Sequence, residues 1–319
     1  MKNNKTYLVY LAIFALGTAV SSCSSPAGIS NDDLDIQAEF DPVSMDPQVN
    51  DSEYAPTFVG WSFEIEGSLV NALWWQPEGK GPNPTILLLH GYPGNEKNLD
   101  LARVLQRAGF NVMFFHYRGT WGSAGYFTFS NALADIAAAV AEVRTCFGEP
   151  ECPYPVDANR IALFGHSMGG WLGMLSAMEI PGISCAAILD FGMASRASDI
   201  DQYFKEHGDV PPWSREEEEH WLLDGTALRI AGAGALTSDL LADVDRFTVI
   251  GRSVELARQN LFILSSTHNE EHPVVVEALK EQGAKRLRAE TWDTDHSFNN
   301  RRVRLARAMV DYYGNSCFD

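Results

Sequence analysis

Positive charge is scarce in this chain: 24 lysines and arginines stand against 42 aspartates and glutamates, a formal net charge of −18. A surface that acidic repels a phosphate backbone, and the sequence shows no basic patch to reverse this, so nucleic acid is not an expected partner. The same charge disfavours anionic substrates. Cysteine is sparse as well. The five cysteines, Cys23, Cys146, Cys152, Cys185 and Cys317, are spaced unlike any zinc-binding set, and nothing points to a metal or an organic cofactor. A membrane-spanning apolar run is also missing. The N-terminal stretch Tyr7–Val20 falls short of the roughly 20 residues that a spanning helix needs.

That N-terminal stretch has a different use. Lys2 and Lys5 precede it, and Val20-Ser21-Ser22-Cys23 follows it. The pattern resembles a bacterial lipoprotein signal, in which the peptide is cut before the cysteine and the cysteine receives lipid. The resemblance implies that residues 1–22 are removed and that Cys23 becomes a lipidated N-terminus. The protein is then exported and held by its lipid at a membrane, on the periplasmic face of an outer membrane or at the cell surface. Ser24, where an aspartate would mark inner-membrane retention, gives no such mark. An ordinary secretory signal cut nearby is the alternative. Export permits disulfides. Cys146 and Cys152 bracket the turn-rich residues 147–151 and are expected to bridge. Cys185 opens an apolar run and is expected to be a buried free thiol, while Cys317 has no evident partner.

The chemistry centres on Gly165-His166-Ser167-Met168-Gly169. Arg160–Phe164 reads as a buried strand before it, and Gly170–Met178 reads as a helix after it. Gly-x-Ser-x-Gly between strand and helix is a nucleophile elbow: the sharp turn projects the serine hydroxyl from the sheet edge, and only glycine fits two positions either side. A serine hydroxyl is a weak nucleophile and needs a base. His296, in Asp293-Thr294-Asp295-His296-Ser297, stands where that base belongs, on a late loop. The base needs an orienting carboxylate, expected after the strand Leu261–Leu264. There the chain reads Ser265-Ser266-Thr267-His268-Asn269-Glu270-Glu271. Asn269 occupies the place of the expected aspartate, so Glu270 is assigned, with Glu271 and Asp190 as alternatives. Asp293 and Asp295 lie too near His296 in sequence to hold its ring. An oxyanion needs preorganised donors. Tyr92 N–H, in His90-Gly91-Tyr92-Pro93-Gly94, and Met168 N–H are the expected pair, since Pro93 has no N–H to give.

At 319 residues, 45% of them hydrophobic, the chain has room for one large α/β core with an insertion. Residues 23–55 are polar and acidic and read as a tether. The domain then runs over 56–319. A hairpin at 58–75 opens it, and apolar strands at 85–89, 111–116, 160–165 and 186–190 alternate with helical stretches. That alternation implies a mostly parallel sheet with crossover helices. It breaks over about 195–259, which lacks a strong strand and reads as a helical cap. Trp213 and Trp221 belong to that cap. Strands at 261–264 and 286–291 and helices at 273–282 and 301–313 complete the pattern.

The order of His90–Gly94, Gly165–Gly169 and Asp295-His296, together with Tyr117-Arg118-Gly119-Thr120-Trp121-Gly122-Ser123-Ala124-Gly125, resembles the α/β-hydrolase family, in particular its serine-aminopeptidase-like and esterase-like bacterial members. The resemblance covers roughly residues 57–314. It implies the α/β-hydrolase fold and acyl transfer through a covalent intermediate on Ser167, with a small-molecule acyl substrate and a Ser–acid–His order of the triad. A carboxylic ester is the first expectation, because ester cleavage asks less of a site. A peptidase or an acyltransferase would use the same residues. A binding protein that kept the fold and lost the chemistry is the reading of another class, supported only by Asn269. Enzymes of this fold that carry a nucleophilic aspartate are excluded by Ser167.

Overall fold

The computed structural model describes residues 40–48, 53–145, 155–223 and 227–318. It opens with a hairpin. Strands β1 (Thr57–Ile65) and β2 (Ser68–Gln76) pair antiparallel across Glu66-Gly67, both at positive φ, the two-residue turn whose twist matches the strands. Then β3 (Asn83–Leu89), α1 (Leu99–Arg107), β4 (Asn111–Phe115), α2 (Phe129–Thr145), β5 (Val156–His166), α3 (Met168–Glu179) and β6 (Ile183–Leu189) alternate. Between β6 and the next strand lie α4 (Arg196–His207), α5 (Pro212–Leu223), α6 (Ala235–Ala242), α7 (Val244–Phe247) and α8 (Ser253–Leu256). The alternation resumes with β7 (Leu261–Ser266), α9 (Glu271–Glu281), β8 (Leu287–Trp292) and α10 (Arg302–Tyr312).

The strands form one sheet in the order β1-β2-β4-β3-β5-β6-β7-β8, with β2 antiparallel to both its neighbours and β3 to β8 parallel throughout. Strand side chains alternate between faces, so each strand feeds two cores. Leu87, Met113, Leu163 and Ile188 join α2, α3 and the helices after β6 on one face. Ile86, Leu88, Phe114, Phe164 and Phe262 join α1 and α10 on the other. Burial on both faces explains why these strands read as unbroken apolar runs rather than alternating ones. The loop after β4 is pinned by a buried ion pair, with Arg118 donating through its backbone N–H and its Nε to Asp135 at 2.7 and 2.5 Å.

Two expectations need correction. Cys185 is not a free thiol: it is bonded to Cys317, across a sequence separation of 132 and a Cα–Cα distance of 5.5 Å. Both side chains lie in the α1/α10 core, so the bond ties the turn after α10 to β6. The proposed Cys146–Cys152 bridge lies outside the described residues, as does Cys23. The tether also ends earlier than expected. Asp41 pairs with Arg307 at 2.7 Å, Arg107 Nε donates to the Pro42 carbonyl at 2.7 Å, and Val43 packs on the α1/α10 core. Phe40–Asp319 form one compact unit.

Candidate active site

In an open parallel sheet, ligands meet the loops at the carboxyl ends of the strands. Ser167 follows β5 near the middle of the sheet, at φ 58° and ψ −126°. A serine there is strained, and the surroundings enforce it. A Cβ on Gly165 would stand 2.1 Å from the Gly169 carbonyl oxygen, and one on Gly169 would stand 2.1 Å from that of Leu89. Both elbow positions are therefore restricted to glycine by backbone contact. Met168 begins α3, so its N–H is among the helix's unpaired leading donors.

The loop after β3 brings Gly91 against the nucleophile: a Cβ there would lie 2.8 Å from Ser167 Cβ and 3.3 Å from its Oγ. His90 Nδ1 donates to the Gly91 carbonyl at 2.7 Å. In a trans peptide the N–H points opposite to the carbonyl. Holding Gly91 O on the His90 side thus turns Tyr92 N–H away from it. Burial holds the His90 imidazole neutral, down to about 4. Tyr92 N–H follows the glycine that packs on Ser167, and Met168 N–H follows Ser167 itself.

His296 lies in the loop after β8. Its Nδ1 is 2.6 Å from Asp190 Oδ2. A carboxylate only accepts, so Nδ1 donates to it, which leaves Nε2 as the nitrogen available to act as base. The carboxylate at the histidine is therefore Asp190 and not Glu270. The register explains why. His166 pairs with Leu189, so Asp190, one residue past β6, sits level with Ser167, one residue past β5. Asp190 also takes φ 39°, and its Oδ1 accepts from Ser266 N–H at 2.7 Å and Asn269 Nδ2 at 3.3 Å. Burial alone would raise this carboxyl, but the hydrogen bonds from His296 and Ser266 outweigh it and hold Asp190 below the ordinary aspartate value. Glu270 is exposed at the start of α9, with no side-chain cap bond. Glu271 turns instead to the backbone N–H groups of Ala194 and Ser195.

Three supporting residues were missed in the sequence. Asn269, standing where the expected aspartate would be, clamps the acid. Its Nδ2 donates to Phe191 O at 2.7 Å, and its Oδ1 accepts from the N–H groups of Glu271 and His272, both at 3.1 Å. His166, inside the elbow motif, holds the base. Its Nε2 donates to the His296 carbonyl at 2.8 Å, and burial, then the nearby His296, lowers it to about 4. Arg302 Nη1 donates to Ser297 O at 3.1 Å and to Asn98 Oδ1 at 3.0 Å, fixing the same loop. The one legible signal was Asp190 itself, a lone carboxylate closing the apolar run Ile183–Leu189. Among the described residues no three His, Cys, Asp or Glu side chains converge as metal ligands would.

The sequence model described as the Alpha/beta hydrolase family matches residues 86–308. The chain belongs to this family. Among curated proteins it is similar to the alpha/beta hydrolase domain-containing protein WAV2 of Arabidopsis thaliana, 32% identical over 116 residues, which is 36% of this chain and 35% of that protein. The match thus spans about a third of that relative's length. Solved structures share the family's fold. A thermostable carboxyl esterase from Bacillus coagulans superposes with a TM-score of 0.61 at 14% identity, over 82% of this chain and 99% of that one. An esterase of Pyrococcus furiosus gives 0.56 at 17% identity, over 83% and 92%. An acylaminoacyl peptidase of Pyrococcus horikoshii gives 0.57 at 12% identity, over 84% of this chain but 43% of that one. At such identities the likeness speaks for the fold alone.

Proposed function

We propose that this family member is a serine hydrolase that cleaves a carboxylic ester through an acyl-enzyme on Ser167. The observation that carries this reading is the 2.6 Å contact of Asp190 with His296 beside a serine held at positive φ. His296 Nε2 takes the proton from Ser167 as Oγ attacks the carbonyl carbon. The carbonyl oxygen becomes an oxyanion held by the Tyr92 and Met168 N–H groups. Collapse expels the alcohol, which receives the proton from His296. Water, losing a proton to the same nitrogen, then releases the acid and restores Ser167. Asp190 keeps Nδ1–H in place and stabilises the imidazolium without taking its proton.

An ester is favoured over a peptide because ester cleavage asks less of a site. An aminopeptidase needs an open carboxylate for the substrate amine. Burial first, and then the charges of Glu218 and Glu217, raise the Tyr92 phenol. Glu218 is spent on the N–H groups of Leu236 and Thr237, and Glu217 on Arg196. We read the helices α4–α8 as a cap that shapes the acyl pocket, and the N-terminus as a signal with lipid on Cys23, which would hold the enzyme at a membrane outside the cytoplasm. The test is labelling with a fluorescent fluorophosphonate. Wild type should label and Ser167→Ala should not. A folded wild type that stays unlabelled favours the binding-protein reading.

A further inference from the structure

The folded chain gathers basic residues along two packed helices. Arg301 precedes α10, and Arg302, Arg304 and Arg307 lie on it. The neighbouring α1 adds Arg103 and Arg107. Six of the chain's 24 cations thus sit on, or just before, two packed helices of an otherwise acidic protein. Arg302 is spent on Asp100 and Arg307 on Asp41. Among the described residues, no carboxylate forms an ion pair with Arg103, Arg107, Arg301 or Arg304. Arg304 lies 4.0 Å over the Trp292 ring, within electrostatic reach of Glu290, and Arg103 lies 4.4 Å over that of Phe58. Arg301, Arg302, Val303, Arg304 and Arg307 line an open groove of about 530 Å³. Apolar side chains stand among the guanidiniums, Val303 at 63% exposure and Phe58 at 45%.

The same face receives the incoming chain. Asp41 seats on Arg307, and Arg107 holds the Pro42 carbonyl. Residues 24–39 are all that separate Phe40 from Cys23, a span of at most about 60 Å when fully extended. A lipid on Cys23 would therefore tether the domain from beside α10. We propose that the α1/α10 face rests on an anionic phospholipid surface, with its arginines against the headgroup phosphates and Val303 and Phe58 at the interface. The acidic remainder of the protein is repelled by such a surface, so attraction and repulsion orient it the same way. The biological setting rests on the lipid-anchor reading, but the affinity of the face does not.

The test uses residues 24–319, which keep both cores within the compact unit from Phe40, and which lack the lipid. The protein is sedimented with vesicles of phosphatidylcholine, with or without phosphatidylglycerol. Binding should require phosphatidylglycerol and weaken with salt. Arg301→Gln with Arg304→Gln should lower it about 30-fold, from about fivefold per arginine near an anionic surface. Lysine at both positions should restore most of it. Arg258→Gln with Arg286→Gln removes the same charge elsewhere, Arg286 lying just before β8 at the end away from His296, and should change binding little. Hydrolysis of a soluble ester should be equal in all variants, which reports that each is folded. No binding to phosphatidylglycerol vesicles would overturn the proposal. So would equal losses in the two glutamine pairs, or self-association through Arg301 and Arg304 in place of vesicle binding. Lipid on Cys23 is read separately, by the mass of the mature N-terminal peptide.

Discussion

Replacing Asp190 by asparagine tests the assignment of the acid most sharply. The change keeps the side chain's shape and should keep the acceptor for Ser266 N–H, now 2.7 Å from Oδ1. The amide NH2 then faces His296 Nδ1, across the contact now 2.6 Å long. Two donors cannot share that contact, so Nδ1 must give up its proton. The imidazole turns to the tautomer with hydrogen on Nε2, which cannot accept from Ser167. By the precedent of this substitution in another serine hydrolase, the loss in kcat is about ten-thousand-fold, or about 5.5 kcal/mol of barrier. Glu270→Gln removes an exposed carboxylate that the structure gives no bond to the site, and should stay within about twofold, as surface substitutions do. The assay is turnover of a p-nitrophenyl ester, with thermal unfolding run on each variant. A large loss in Glu270→Gln, or Asp190→Asn within tenfold of wild type at equal stability, would refute the reasoning.

Asn269→Ala should lower kcat about tenfold with KM unchanged, by loosening the acid, and cost about 1 kcal/mol of stability through the lost cap on α9, read by turnover and denaturant unfolding. Gly91→Ala should cost about a hundredfold or more in kcat/KM, because its Cβ would stand 2.8 Å from Ser167 and displace an oxyanion donor. Cys317→Ser should destabilise by about 2–5 kcal/mol, the upper figure being the loop-entropy value for a separation of 132; an unchanged unfolding midpoint would contradict it. Stability should fall as pH drops from about 6.5 to about 4. In that window unfolded histidine is charged while buried His90 and His166 resist protonation, each costing up to about 3 kcal/mol. Asp135, raised to about 6 by burial, runs the other way and offsets part of this, so a midpoint flat across the window would count against the histidines.

Much of this was legible in the chain, for physical reasons. The elbow is local: glycine at 165 and 169 is dictated by contacts within one turn and by the adjoining β3 strand, so its pattern survives in sequence. His296 and the loop after β3 follow from the order of strands in this fold. The acid did not follow. Two adjacent strand ends present carboxylates or amides at similar height, and only register decides between them. Asp190 sits level with Ser167, whereas Glu270 already belongs to a helix leading away. The Cys185–Cys317 bond was hidden for a related reason. An apolar strand residue gives no sign of which helix covers its face. The basic face was only partly legible: Arg301, Arg302, Arg304 and Arg307 fall within seven residues at the start of α10, but Arg103 and Arg107 come from a helix some 200 residues earlier in the chain.

The central claim is an acyl group on Ser167. Mixing the protein with a p-nitrophenyl ester, quenching within one turnover and weighing the peptides tests it directly. The account predicts a burst of p-nitrophenol equal to the enzyme present and an acyl mass on the peptide bearing Ser167, with both absent in Ser167→Ala. Steady turnover by wild type with no acylated Ser167 peptide, or turnover that survives in Ser167→Ala, would contradict it.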